Sequence, residues 1–261
     1  MSVDGFRTEH AQAFGGFQPD VAARFHTAVN RVARRLRVQV DGVENVPEGP
    51  ALLVANHAFG WDIAFPMAAV YEKTGRCVFA LGEHLWWKVP VLRRVAAAVG
   101  TVDGTPENVD RLLEAGHIVL VLPGGMREAM KPHQLRYRLM WGRRFGFVRA
   151  AVKAGAPMIP LAALGADELF DWVGDPYARG KRLLRRLGLR DSNIPIPRPR
   201  FSLPIPHRIR LRYVFGEPVY PDIGPDRLDD AKALRRLRYV VEGELQELID
   251  VELARRVGIE T

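Results

Sequence analysis

His57 and Asp62, five residues apart in the segment NHAFGWD, are the pair in this chain best suited to moving a proton. On a continuous helix positions i and i+5 do not share a face, but Gly60 lets the chain turn between them and swing the carboxylate back onto the imidazole. A carboxylate on one ring nitrogen fixes the tautomer and makes the other nitrogen more basic, which is what a general base for an alcohol requires. The bare spacing is common by chance, and the competing reading is a structural histidine at a strand end. A second constellation, LPGGMREA at 122–129, pairs two glycines with Arg127 and Glu128. Such glycines admit a ligand close to the backbone and offer amides to an anion, and Arg127 can fork onto a phosphate or carbonyl oxygen unless Glu128 pairs with it. Here the competing reading is a simple strand-to-helix connection.

Covalent catalysis has few candidates. The chain has three serines, Ser2, Ser192 and Ser202, none in a G-x-S-x-G turn, and its one cysteine, Cys77, sits in an apolar strand-like run. A histidine and carboxylate without a partner nucleophile point to direct attack by a substrate hydroxyl. A lone cysteine cannot form an internal disulfide, and no cysteine–histidine cluster has zinc spacing, so neither a metal nor an organic cofactor is expected.

The elements that would carry these residues alternate. ALLVA at 51–55 and IVLVL at 118–122 read as buried parallel strands, each running directly into one of the two constellations. Further strands are expected at 77–81, 100–102, 157–163 and 208–215. Helices are expected over about 19–37, from Trp61 to Tyr71, and over 89–98, 106–115, 143–154 and about 226–256. The pattern predicts a single-domain α/β fold, a layered and largely parallel central sheet flanked by helices, with the site in loops at the C-terminal ends of strands. We divide the chain into an N-terminal basic helical segment (1–34), a central domain (35–220) with a basic amphipathic insertion at 176–200, and a C-terminal helix (221–261) packed on the domain.

A net charge of +8 and a pI near 10.0 imply an anionic partner. Residues 176–200 hold eight basic side chains against Asp191 alone, so nearly all the excess lies in one segment, where leucines alternate with Lys181, Arg182, Arg185 and Arg186. That stretch suits an anionic lipid surface, and no recognised nucleic-acid motif is present, so nucleic acid is not an expected partner. The N-terminus carries no secretory signal pattern, and the apolar runs are far shorter than the roughly 20 residues of a membrane-spanning helix. The expected location is cytoplasmic, peripheral on the inner face of a membrane.

The order and spacing of these blocks resemble the glycerol-phosphate and lysophospholipid acyltransferase superfamily, marked by N-H-x-x-x-x-D and a later F-P-E-G-T-R. NHAFGWD matches the first block without a gap, and LPGGMR keeps Pro123, Gly125 and Arg127 while placing Gly124 where the family has glutamate. APMIPL at 156–161 resembles a third block, and the likeness spans residues 35–220. No arginine follows Gly100 in TVDGTP, where the family has one for an acceptor phosphate. GGMREA, followed by Tyr137, Trp141, Arg144 and Gly146, looks nearer to the branch related to mono- and diacylglycerol acyltransferases.

The resemblance implies an acyl-CoA or acyl-carrier-protein donor and a glycerolipid acceptor. It implies His57 as base oriented by Asp62, and Asn56, Gly124, Gly125, Arg127 and Glu128 at the substrate. An acylglycerophosphate acceptor is the alternative within enzymes. A basic lipid- or nucleic-acid-binding protein, or a catalytically silent relative, is the alternative outside them.

Overall fold

The computed structural model describes residues 16–58, 63–82, 87, 90–169, 173–186 and 209–258. Its centre is a seven-stranded sheet in the order β1-β7-β6-β2-β5-β3-β4, formed by β1 (Gln39–Asp41), β2 (Ala51–Ala55), β3 (Val78–Gly82), β4 (Thr101–Asp103), β5 (Ile118–Val121), β6 (Met158–Leu164) and β7 (Arg212–Phe215). Every neighbouring pair is parallel except β6–β7. The expected layered, largely parallel α/β fold is what the chain forms. β2 lies between β5 and β6 and is buried at all five positions, as its unbroken apolar run requires when both sheet faces are covered.

The pleat divides the core. Leu52, Val54, Phe79, Val119 and Ala162 face one layer, which contains α4 (Pro106–Glu114), α6 (Gly146–Ala154) and α8 (Ala231–Arg256). Leu53, Ala55, Val78, Ala80 and Leu120 face the other, where α1 (Pro19–Leu36) packs on α2 (Ala64–Thr74). Each fully buried leucine in these layers contributes about 2 kcal/mol. α3 (Pro90–Ala98) lies between β3 and β4 in the chain.

Local chemistry sets the helix ends. Pro19 opens α1, Asp20 lies in its first turn and Arg34 and Arg35 in its last, charges that suit the helix dipole. The Thr105 hydroxyl accepts the Asn108 amide to cap α4, and Asp230 accepts the amides of Lys232 and Ala233 to cap α8. α8 lies against β6 and belongs to the main core through Leu234, Leu237, Val241, Leu245 and Ile249.

The α1–α2 interface contains a buried base. His26 is 0% exposed, stacks on Tyr71 at 5.1 Å and finds no hydrogen-bond partner for either ring nitrogen among the described residues. Burial pushes its pKa from 6.5 down to about 4. The unfolded chain therefore takes up this proton near pH 6.5 and the folded chain only near pH 4. The stability due to neutral His26 is complete above pH 6.5 and is lost as pH falls toward 4. Between pH 7.5 and 5 the wild type should lose about 2 kcal/mol more than His26→Leu. Denaturant titrations at the two pH values test this, and equal losses would refute it.

Candidate active site

The C-terminal edge of β2 delivers Asn56 and His57 in succession. Asn56 is fully buried, and its side chain brackets one residue of β6: Nδ2 donates to the Ala163 carbonyl at 3.0 Å and Oδ1 accepts the Ala163 amide at 2.7 Å. This extends the β2–β6 pairing by a side chain and fixes where the strand stops. Asn56 therefore holds the main chain beside the histidine, where sequence reasoning had placed it at the substrate. His57 itself is half-buried, at the mouth of this edge. Asp62, its expected partner, lies outside the described residues.

β5 ends in the second constellation. The Gly125 amide donates to the Leu122 carbonyl at 2.9 Å, closing a tight turn, and Gly125 takes the left-handed φ of 55° that favours glycine. That amide is thus spent on the turn and is not offered to an anion, as the glycine-loop reading had expected. A short helix, α5 (Gly125–Ala129), follows with Arg127 exposed. Arg144 donates to the Pro123 carbonyl at 2.7 Å and ties the loop down from the far side.

Glu128 points inward. It is 0% exposed, its Oε1 accepts the His57 amide at 2.7 Å and its Oε2 accepts the Met140 amide at 2.7 Å. Burial pushes this carboxyl up from its ordinary range, opposed by the nearby Lys131 cation and the two amides. Glu128 does not pair with Arg127 and, fully buried, presents no surface to a ligand. It supports the site from beneath. Gly124 explains how it fits: a Cβ at that position would lie 2.0 Å from Glu128 Oε2 and 2.4 Å from Glu128 Cβ, so only glycine lets the carboxylate pass.

Lys131 completes the arrangement. Its ammonium donates to the His57 carbonyl at 3.3 Å and pairs with Asp167 at 2.8 Å, with both side chains nearly inaccessible (2% and 3%). Asp167 also accepts the Tyr137 amide at 2.6 Å. Tyr137, with φ 62°, turns its hydroxyl to the Gly165 amide at 2.9 Å and to Glu168, which Arg256 of α8 bridges at 2.7 Å. Trp141 is buried against Phe147 with the Arg238 guanidinium 5.8 Å from its ring. The residues after GGMREA are therefore the frame behind the loop.

Sequence reasoning paired neither Glu128 with His57 nor Lys131 with Asp167, because these partners are 71 and 36 residues apart in the chain. The available signal was a Glu and a Lys three residues apart, beginning three positions after Gly125.

Cys77 is half-buried, and burial pushes its thiol to about 11, so it stays protonated at neutral pH and makes a poor nucleophile. Ser2, Ser192 and Ser202 lie outside the described residues. Lys181 and Arg182 are exposed on α7 (Pro176–Arg186), with Leu183 42% exposed beside them, while Arg185 and Arg186 close the helix. Among the described residues no helix is long and apolar enough to cross a membrane, and no group of three or more His, Cys, Asp or Glu side chains can hold a metal ion.

Comparison with known proteins places this geometry in context. The sequence pattern of the family described as Acyltransferase matches residues 37–163, which include β2, His57 and the 122–129 loop. An uncharacterized protein of Mycobacterium tuberculosis is 31% identical over 260 residues, covering 94% of this chain and 70% of its own length. A mouse protein named DGAT1/2-independent enzyme synthesizing storage lipids is 30% identical over 149 residues, covering 53% of this chain and 45% of its own. The crystal structure of the 1-acyl-sn-glycerophosphate (LPA) acyltransferase PlsC from Thermotoga maritima is similar at a TM-score of 0.48 and 17% identity, covering 88% of this chain and 79% of that one.

Proposed function

We propose, from the premise that this chain belongs to the Acyltransferase family, that it moves a fatty acyl group from an acyl-CoA or acyl-carrier-protein thioester to the hydroxyl of a glycerolipid at a membrane surface. The observation that carries this reading is His57. It stands half-buried at the C-terminal edge of the central strand, with its main chain held by Glu128 and Lys131, beside the 122–127 loop. A base in that place would be held through its main chain.

In the mechanism, His57 takes the proton of the acceptor hydroxyl as its oxygen attacks the thioester carbonyl. The tetrahedral intermediate collapses, the C–S bond breaks, and the imidazolium returns the proton to the departing thiolate. No acyl-enzyme forms. Asp62 would orient the imidazole, and Arg127, exposed on α5, would steady an oxygen of donor or acceptor.

A neutral mono- or diacylglycerol is the favoured acceptor. No arginine stands in TVDGTP after Gly100, where the resembled superfamily has one for an acceptor phosphate. The name of the mouse relative points the same way. The test is to identify the labelled lipid formed from radiolabelled palmitoyl-CoA when monoacylglycerol, diacylglycerol or lysophosphatidate is offered. Product from the neutral acceptors supports the reading, and product from lysophosphatidate alone replaces it with the acylglycerophosphate specificity.

The lipid surface would be met by α7. A basic side chain near an anionic leaflet contributes about 1 kcal/mol, so Lys181→Ala/Arg182→Ala should weaken binding to phosphatidylserine vesicles roughly 30-fold. Vesicle sedimentation reads this directly. An unchanged affinity would remove α7 from the membrane contact, and a shift of DNA in place of vesicle binding would favour the nucleic-acid alternative.

A further inference from the structure

We propose that Glu128 and Lys131 are positioning residues that grip the His57 main chain from its two sides, with the Glu128 carboxylate filling the space that a side chain at position 124 would take. The proposal rests on the general-base reading of His57 given above.

The geometry is specific. The His57 amide donates to Glu128 Oε1 and the His57 carbonyl accepts from Lys131 Nζ, so one residue is held at both of its peptide groups by an acidic and a basic side chain three residues apart. Neither side chain is free to move. Glu128 is fixed a second time by the Met140 amide, and Lys131 by Asp167. A β2 end held only by its ladder would leave His57 on a loop. The grip sets its Cα, and so the reach of its imidazole, relative to α5, which carries the glutamate. A base displaced by about 1 Å loses on the order of 100-fold in rate.

Position 124 explains how this chain supplies a carboxylate here. A Cβ at 124 would overlap the Glu128 side chain, 2.0 Å from Oε2 and 2.5 Å from Cδ. Side chains at 124 and 128 are therefore mutually exclusive in this volume. The Gly124–Glu128 combination is a single unit.

The test compares Glu128→Ala, Gly124→Glu, the Gly124→Glu/Glu128→Gly double variant and His57→Ala, glycine being needed at 128 because a Cβ there would lie 2.4 Å from one at 124. Thermal stability, kcat and KM for palmitoyl-CoA are measured with the acceptor the wild type uses. We expect Glu128→Ala to lose about 10- to 100-fold in kcat with KM within about threefold. Gly124→Glu alone should be at least as impaired, and the double variant should recover about 10-fold over Glu128→Ala. The double variant keeps a carboxylate in the site, so it also decides the matter if Glu128→Ala fails to fold. A folded Glu128→Ala with wild-type kcat, a loss confined to KM, or a double variant no better than Glu128→Ala and Gly124→Glu would overturn the proposal. If His57→Ala retains full activity, the general-base reading fails instead, whatever the Glu128 variants do.

Discussion

Replacing His57 by alanine should lower kcat by about 10²- to 10⁴-fold and leave the fold intact. The size follows from what a positioned general base contributes, about 3 to 5 kcal/mol of barrier. Preservation of the fold follows from the contacts the residue makes. Glu128 and Lys131 bind its amide and carbonyl, which alanine keeps, and the imidazole is half-buried at the strand end. A thermal midpoint within about 2 °C of wild type, together with acyl transfer reduced by two or more orders of magnitude, is the expected pair of results. A comparable loss of both would mean that the imidazole is structural, the competing reading of a histidine at a strand end.

The largest expected loss of stability belongs to Lys131→Met. The Lys131–Asp167 pair is 2.8 Å long, and both side chains are almost completely inaccessible. Removing the cation leaves Asp167 charged in the interior, a change that typically costs about 3 to 5 kcal/mol and, for a chain of this size, lowers the melting point by on the order of 10 °C. The Lys131→Met/Asp167→Asn double variant removes both charges, and the asparagine oxygen can still accept the Tyr137 amide. It should recover more than half of the loss, because the penalty lies in the unpaired charge and not in the absence of an attraction. Calorimetry of the two single variants and the double variant closes the cycle. Additive losses would show that the pair is uncoupled. Activity should remain lowered in the double variant, since the His57 carbonyl has lost its donor.

The parts of this architecture written in local pattern are readable without a structure. β2 and β5 are unbroken apolar runs because the sheet is covered on both faces, and each leads into a loop whose glycine, proline or histidine marks the strand end. α8 is legible from its long apolar periodicity and the aspartate that caps it. β1 is three residues long, too short for any period to register, and the antiparallel course of β7 depends on how the chain returns after α7. α7 reads in the sequence as a basic amphipathic stretch and forms an 11-residue helix.

At the site, sequence spacing singles out His57 and the 122–125 turn but not the contacts of the residues beside them. Asn56 and Glu128 have the residue types of ligand-binding groups, yet both spend their hydrogen bonds on main chain. Pattern cannot reveal this, because a buried carboxylate and an exposed one are the same letter. The distinction comes from what the fold packs beneath a strand end, 71 residues away in sequence for Glu128 and His57. Gly124 is the local clue: a glycine with an ordinary φ of −68° is there for space and not for backbone freedom.

The central claim, direct acyl transfer to a glycerolipid hydroxyl with His57 as base, is tested most directly by release of free CoA from palmitoyl-CoA by purified protein on anionic vesicles, with and without diacylglycerol or monoacylglycerol, for wild type and His57→Ala in parallel. The account predicts release that requires the acceptor in the wild type and falls at least 100-fold in the variant. Acceptor-dependent release that survives in His57→Ala would contradict it.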